Sequence, residues 1–147
     1  MAESPAQNYA NHGRMVPAYH YVAFGLLFVT FIGSLVNVYE SLGDSSRLYS
    51  ASLLVTLTFG TLMVFFFARF FPLKAQDRAI RAEEQLRHFV MTGKLLDARL
   101  TVRQIVALRF ASDGEFVTLA QRAADHGLSE DAIKKEVKHW RADIYRV

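Results

Sequence analysis

Two long apolar stretches occupy the first half of the chain, and short amphipathic stripes fill the second. Residues 22–38 give 17 positions without a charge, and residues 51–68 give 18 more. At about 1.5 Å rise per residue, a helix over either stretch covers roughly 26 Å of a hydrocarbon layer about 30 Å thick. Tyr19, Tyr21 and Tyr39 flank the first stretch, and Tyr49, Phe70 and Phe71 flank the second. Aromatic rings suit the headgroup level at either end of a span. The connector "ESLGDSSRL", residues 40–48, is short, polar and turn-rich. The pattern therefore predicts an antiparallel transmembrane hairpin over residues 19–72, with spans at about 20–39 and 50–71 and Pro72 at the membrane exit.

Neither uncharged stretch, 22–38 or 51–68, carries an ionisable group of the kind that marks an ion path or proton relay. Small and polar residues fall in rows instead. Gly25, Gly33 and Asn37 share an i, i+4 row on the first span, and Ser52, Thr56 and Gly60 share one on the second. Lipid supplies no hydrophobic drive between helices, so close backbone approach and interhelical hydrogen bonds must hold them together. These rows are the expected intramembrane packing seams, within one hairpin or between protomers.

After Pro72 the pattern changes period and polarity. In "KAQDRAIRAEEQLRHFV", Ala75, Ala79, Ala82, Leu86 and Phe89 recur at spacings of 4, 3, 4 and 3. That is one apolar face of a helix, predicted over residues 73–93 as an amphipathic stalk that Gly93 ends. Asp77 before Arg81 and Glu83 before Arg87 have the favourable i, i+4 order. Residues 94–147 read as a small three-helix unit. Thr101 with Gln104 and Ser112 with Glu115 have capping-box spacing, and Gly127 is a helix stop. Ser129 caps a last helix whose stripe is Ile133, Val137, Trp140 and Ile144. No stretch alternates as a strand does. The fold class is an all-α membrane protein: two-helix hairpin, stalk and small C-terminal unit.

Charge is distributed as unevenly as hydropathy. Of 17 Lys and Arg, only Arg14, Arg47 and Arg69 precede residue 73; of 14 acids, only Glu3, Glu40 and Asp44 do. Basic residues cluster on the side of the two termini, so the positive-inside rule puts residues 1–18 and the C-terminal half in the cytoplasm. The expected location is the inner membrane, multi-pass. The N-terminus has no basic region running into a short apolar core, and reads as a retained tail.

Candidate chemistry adds little. The chain has no cysteine, which excludes disulfides, thiolate metal sites and thiol catalysis. His20 lies at the edge of the first span and His88 well outside it, so no two histidines stand at matched depth to hold a haem. No phosphate loop, nucleophile elbow or paired-carboxylate arrangement stands out. Asp113, Glu115 and His126 suit helix caps better than a cleft. No cofactor and no catalytic residue is expected. The sharpest motif is a helix-turn-helix spacing at Ala123, Gly127 and Ile133, followed by Lys134, Lys135, Lys138 and Arg141. Glu130 and Asp131 stand where such a reading helix meets DNA, and they repel phosphates.

The segments "QNYANHGRMVPAYHY", "KAQDRAIRAEEQLRHFVMTGKLLDARLTVRQIVALRFASDGEF" and "IKKEVKHWRADIYRV" resemble those of a family of short bacterial membrane proteins of unknown function. The resemblance covers nearly the whole chain. It implies two spans and a cytoplasmic helical tail, and no activity. The expected function is a non-enzymatic, membrane-anchored interaction or oligomerisation module, alone or within a larger inner-membrane complex. Its expected partners are the lipid bilayer and a second copy or another membrane protein. Ala79, Ala82, Leu86, Phe89 and Trp140 are its candidate contact residues. The alternative is a membrane-tethered DNA-binding regulator.

Overall fold

The computed structural model describes residues 7–13 and 15–143, which form two compact units. One comprises residues 15–71. The other joins the N-terminal residues to those from Pro72 onward.

In the first unit a π-helical segment, Ala18–Ala23, leads into α1, Phe24–Glu40. Together they are long and apolar enough to cross a membrane. Helix α1 stops where the Ser41 hydroxyl turns back onto the Asn37 carbonyl at 2.7 Å and Gly43 takes φ 103°. A positive φ of this size suits glycine. The connector is tighter than the nine-residue run suggests, because Asp44 already caps the next helix. Its carboxylate accepts from the Ser46 hydroxyl at 2.7 Å and from the Ser46 and Arg47 N–H groups. Those bonds, the Ser46 hydroxyl foremost, hold the Asp44 carboxyl below its usual range.

Helix α2 runs from Ser45 to Thr92. Pro72 lies inside it, so the second apolar stretch and the stalk, given separate bounds from the sequence, are one helix. Proline removes one i→i−4 bond. The second apolar membrane-length stretch lies on α2.

The seam between α1 and the first part of α2 follows a different row from those expected. Ser34, Ser41, Ala51 and Thr58 are buried. The Ser34 and Thr58 hydroxyls meet at 3.1 Å, while Ser34 reaches the Phe31 carbonyl at 2.6 Å and Thr58 the Leu54 carbonyl at 2.8 Å. Thr58 also lies 3.1 Å from the Val55 carbonyl, so two hydroxyl protons are shared among four contacts. The Tyr19 ring stacks on Phe65 at 4.1 Å between centroids, and its hydroxyl donates to the Phe65 carbonyl. Gly33, Ser52 and Thr56 are exposed, and Gly25, Asn37 and Gly60 are half-buried. A Cβ added at Gly25, Gly33 or Gly60 would meet nothing within 4 Å.

In the second unit, the part of α2 after Pro72 joins α3, Val102–Leu108, α4, Asp113–His126, and α5, Glu130–Glu136. Leu108, Phe110, Phe116, Ile105 and Ile133 form the fully buried core. The caps stand where their spacing put them. Thr101 and Gln104 close a reciprocal box, as do Ser112 and Glu115, and Ser129 accepts from Ala132 N–H at 3.2 Å. Gly93 closes α2 at φ 73°. Gly127 takes φ 59°, and the Leu128 N–H reaches back to the Ala123 carbonyl at 3.2 Å, a Schellman-type stop.

The last helix is shorter than its stripe predicts. Helix α5 ends at Glu136, and Val137 is extended. Trp140 pairs with Ala111 in an isolated antiparallel bridge rather than lying on a helix. Glu115 supplies the cause: its carboxylate accepts from Lys138 N–H at 3.1 Å and His139 N–H at 3.0 Å. Those bonds compete with a continued helix. Ile144 lies outside the described residues, as does Arg14.

Candidate functional site

The stalk part of α2 presents two faces of opposite character. One packs on the terminal helices through Ile80, Glu84, Arg87 and His88. Ile80 is 7% and Glu84 only 4% exposed. Arg87 organises this contact. It donates from Nη1 to Glu84 Oε2 at 2.9 Å, from Nη2 to Asp113 Oδ1 at 2.6 Å and from Nη2 to the Ala111 carbonyl at 2.8 Å. Its guanidinium lies 4.2 Å from the centre of the Phe116 ring. Arg141 stands 3.7 Å from the other Glu84 oxygen. The planar fork of arginine suits such divergent acceptors, which a lysine could not serve together. Gln85 accepts from Leu96 N–H at 3.0 Å, and His88 Nδ1 lies 2.7 Å from the Lys94 carbonyl. Arg87 thus turns to Glu84 and Asp113, not to Glu83 as its spacing suggested.

The other face is the apolar stripe, and it is uncovered. Ala75, Ala79, Ala82, Leu86 and Phe89 are all exposed. Leu86 retains 63% and Phe89 50% of their full exposure. Trp140, the fifth candidate contact, is half-buried within its own unit, its ring 4.7 Å from Phe110.

The N-terminal segment packs on the terminal unit, which its sequence does not signal. His12 packs against Phe110 and Trp140, with ring centroids 5.8 and 5.9 Å away. Gln7 accepts from the Asp143 N–H at 2.8 Å, and Lys135 Nζ lies 5.4 Å from the Tyr9 ring centre. The "QNYANH" run is polar and aperiodic, so no amphipathic stripe announced it.

Three of the four basic residues of the helix-turn-helix spacing face a partner in their own unit. Lys134, with a side chain 14% exposed, lies 3.8 Å from Glu130. Lys135 faces Tyr9, and Arg141 faces Glu84. Lys138 lines an open cleft with Arg122 and Glu136. Arg122 Nη2 is 3.2 Å from Glu136 Oε2, an ion pair in which that oxygen receives no directed hydrogen bond. Helix α5 has seven residues, with Glu130 and Asp131 in its first turn.

Asp113 and Glu115 serve the fold. Asp113 holds Arg87. Partial burial pushes the Glu115 carboxyl up, but N–H groups of His139, Lys138 and Ser112 outweigh it and leave the carboxyl below its ordinary value. In the connector after the stalk, Arg99 holds the Asp97 carboxyl down to about 2. Arg99 also reaches Asp125 at 2.8 Å, joining that connector to the end of α4. Among the described residues, no three His, Asp or Glu side chains are grouped as metal ligands would be.

Over residues 1–147 the sequence matches the family of unknown function DUF6526. The chain belongs to this family. Nothing among the curated proteins and nothing among the solved structures matches it. Membership therefore brings no ligand or activity to the positions just described, and their reading rests on geometry.

Proposed function

We propose that the chain is a non-enzymatic membrane-anchored module of the bacterial inner membrane, whose cytoplasmic stalk and terminal unit dock a protein partner or a second copy. The carrying observation is the surface of residues 15–71. Leu26, Val29, Leu57 and Val64 are 65–69% exposed on helices of membrane length. An apolar envelope of this extent is a liability in water and is satisfied in lipid. Backbone bonding supports the same reading. The exposed hydroxyls of Thr30, Ser52, Thr56 and Thr61 donate to carbonyls of their own helix at 2.6–3.0 Å, so lipid would meet no unpaired donor there.

Two features support a hairpin with both termini in the cytoplasm. Residues 7–13 pack into the same unit as the C-terminal helices, and basic residues concentrate there. An interaction role is favoured because the buried and partnered charged groups of that unit hold its helices together. Most of the hydrophobic surface left over lies on the stalk, at Leu86, Phe89, Val90 and Met91. DNA binding draws no support from these positions, since Lys134, Lys135 and Arg141 face Glu130, Tyr9 and Glu84.

Two measurements test the proposal. Alkaline carbonate should leave the protein in the membrane pellet. Mild extraction should give particles heavier than one copy, or a co-purifying membrane protein. A carbonate-soluble protein, or a strict monomer that brings nothing with it, contradicts the proposal.

A further inference from the structure

We infer that the uncovered face of the stalk joins a second copy of this chain as a parallel, in-register pair of helices. The inference rests on the membrane-anchored reading, because two copies inserted with the same topology present parallel stalks. The 4, 3, 4, 3 spacing places Ala79 and Leu86 at a positions of a heptad, and Ala75, Ala82 and Phe89 at d positions. The terminal unit packs mainly on the other side of the helix and reaches the seam's edge only at Gln85, a g residue that accepts from Leu96 N–H. Ile80 and Arg87 fall at b, His88 at c and Glu84 at f. One face is thus spent on packing within the chain, and the a and d positions are left clear.

Charge identifies the occupant. In a parallel pair, each g residue meets the e residue five positions on in the partner helix. Here the g residue is Arg78 and the e residue Glu83. Both are exposed, and neither has an ion pair within its own chain among the described residues. Two-fold symmetry makes this contact twice, Arg78 of each copy to Glu83 of the other. A stagger of one heptad would lose both pairs, so the charges also set the register. Alanine at three of the five seam positions allows close backbone approach near Pro72, and Leu86 and Phe89 fill the far end. Toward the N-terminus of α2 the seam stops. Ala51, Thr58 and Phe65 continue the a register, and Thr58 and Phe65 contact Ser34 and Tyr19. So short a pair is weak in free solution. Confinement of both copies to one membrane raises their effective concentration.

The test uses the full chain, which is free of cysteine. Single cysteines at Ala75, Ala82 and Arg81 are oxidised in native membranes, and particle mass is measured after mild extraction. Ala75→Cys and Ala82→Cys, at d, should form disulfide-linked dimers of the chain, and Arg81→Cys, at c, should not. Arg78→Glu turns two attractive contacts into two repulsive ones and should weaken the dimer about tenfold. Glu83→Arg should act alike, and the double exchange should restore it. A homo-oligomer whose d-position cysteines do not crosslink, or whose charge exchange fails to restore it, overturns the inference and leaves the interaction-module reading standing. So does a monomer held by another membrane protein. A monomer that brings nothing with it overturns both.

Discussion

Replacing Arg87 by alanine removes the group that fastens the stalk to the terminal helices. It leaves Glu84, 4% exposed, with only Arg141 at 3.7 Å. It also strips the Ala111 carbonyl of its 2.8 Å donor and Phe116 of its cation. Removing one partner of a buried ion pair costs about 3–5 kcal/mol, since the other charge stays desolvated. The Asp113 contact adds little, because its carboxylate is largely exposed. At about 0.05–0.15 kcal/mol per residue, a unit of this size holds roughly 5–14 kcal/mol in all. The loss is therefore a large share of its stability. The single tryptophan, Trp140, lies in this unit against Phe110 and reports its unfolding by fluorescence in the full-length detergent-solubilised protein. At about 4–8 °C per kcal/mol, Arg87→Ala should lower the midpoint by at least 12 °C. The double change Glu84→Leu with Arg87→Met removes both charges and should recover most of that loss. A shift below about 4 °C for Arg87→Ala, or a double variant worse than the single one, would refute the keystone role given to Arg87.

Acid should loosen the same unit. The Asp97 carboxyl is held down to about 2 by Arg99, so its contribution is complete above its usual value near 4 and is lost as pH falls towards 2. Trp140 fluorescence should report that loss in wild type and a smaller one in Arg99→Gln. Gly127→Ala places a side chain at φ 59° with open space around it, so only backbone strain counts, about 1–2 kcal/mol, read as a lower unfolding midpoint. Ser34→Ala and Thr58→Val each remove one hydroxyl of the buried 3.1 Å contact. Each should destabilise the α1–α2 pair by about 0.5–1.5 kcal/mol in detergent unfolding, with the double variant costing less than the sum.

Helix ends were the most legible part of the sequence, because a cap is local. Thr101 with Gln104, Ser112 with Glu115, Gly127 and Ser129 each act within a few residues of themselves. Long uncharged runs announced the two apolar helices for the same reason. Contacts between distant segments were not legible. Arg87 has Glu83 at the favourable spacing, but its burial with Glu84 depends on Ala111 and Asp113, more than twenty residues later. Glu115 gave away its cap but not its hold on Lys138 and His139, which ends α5 early and sends Trp140 into a bridge. In the second apolar stretch several rows of small residues are available, and only the partner helix selects Ala51 and Thr58 over Ser52 and Thr56. The apolar stripe of the stalk was readable in full, but not that the terminal unit would pack on the opposite side.

The anchored hairpin is tested most directly by single-cysteine labelling in intact bacterial cells. Leu42→Cys lies in the connector and Ala98→Cys in the terminal unit, both at exposed positions of a cysteine-free chain. With the outer envelope made permeable, a membrane-impermeant maleimide should label position 42 at once and position 98 only after the inner membrane is broken. Equal labelling of both before lysis, or labelling of 98 alone, would contradict the hairpin and with it the cytoplasmic docking surface.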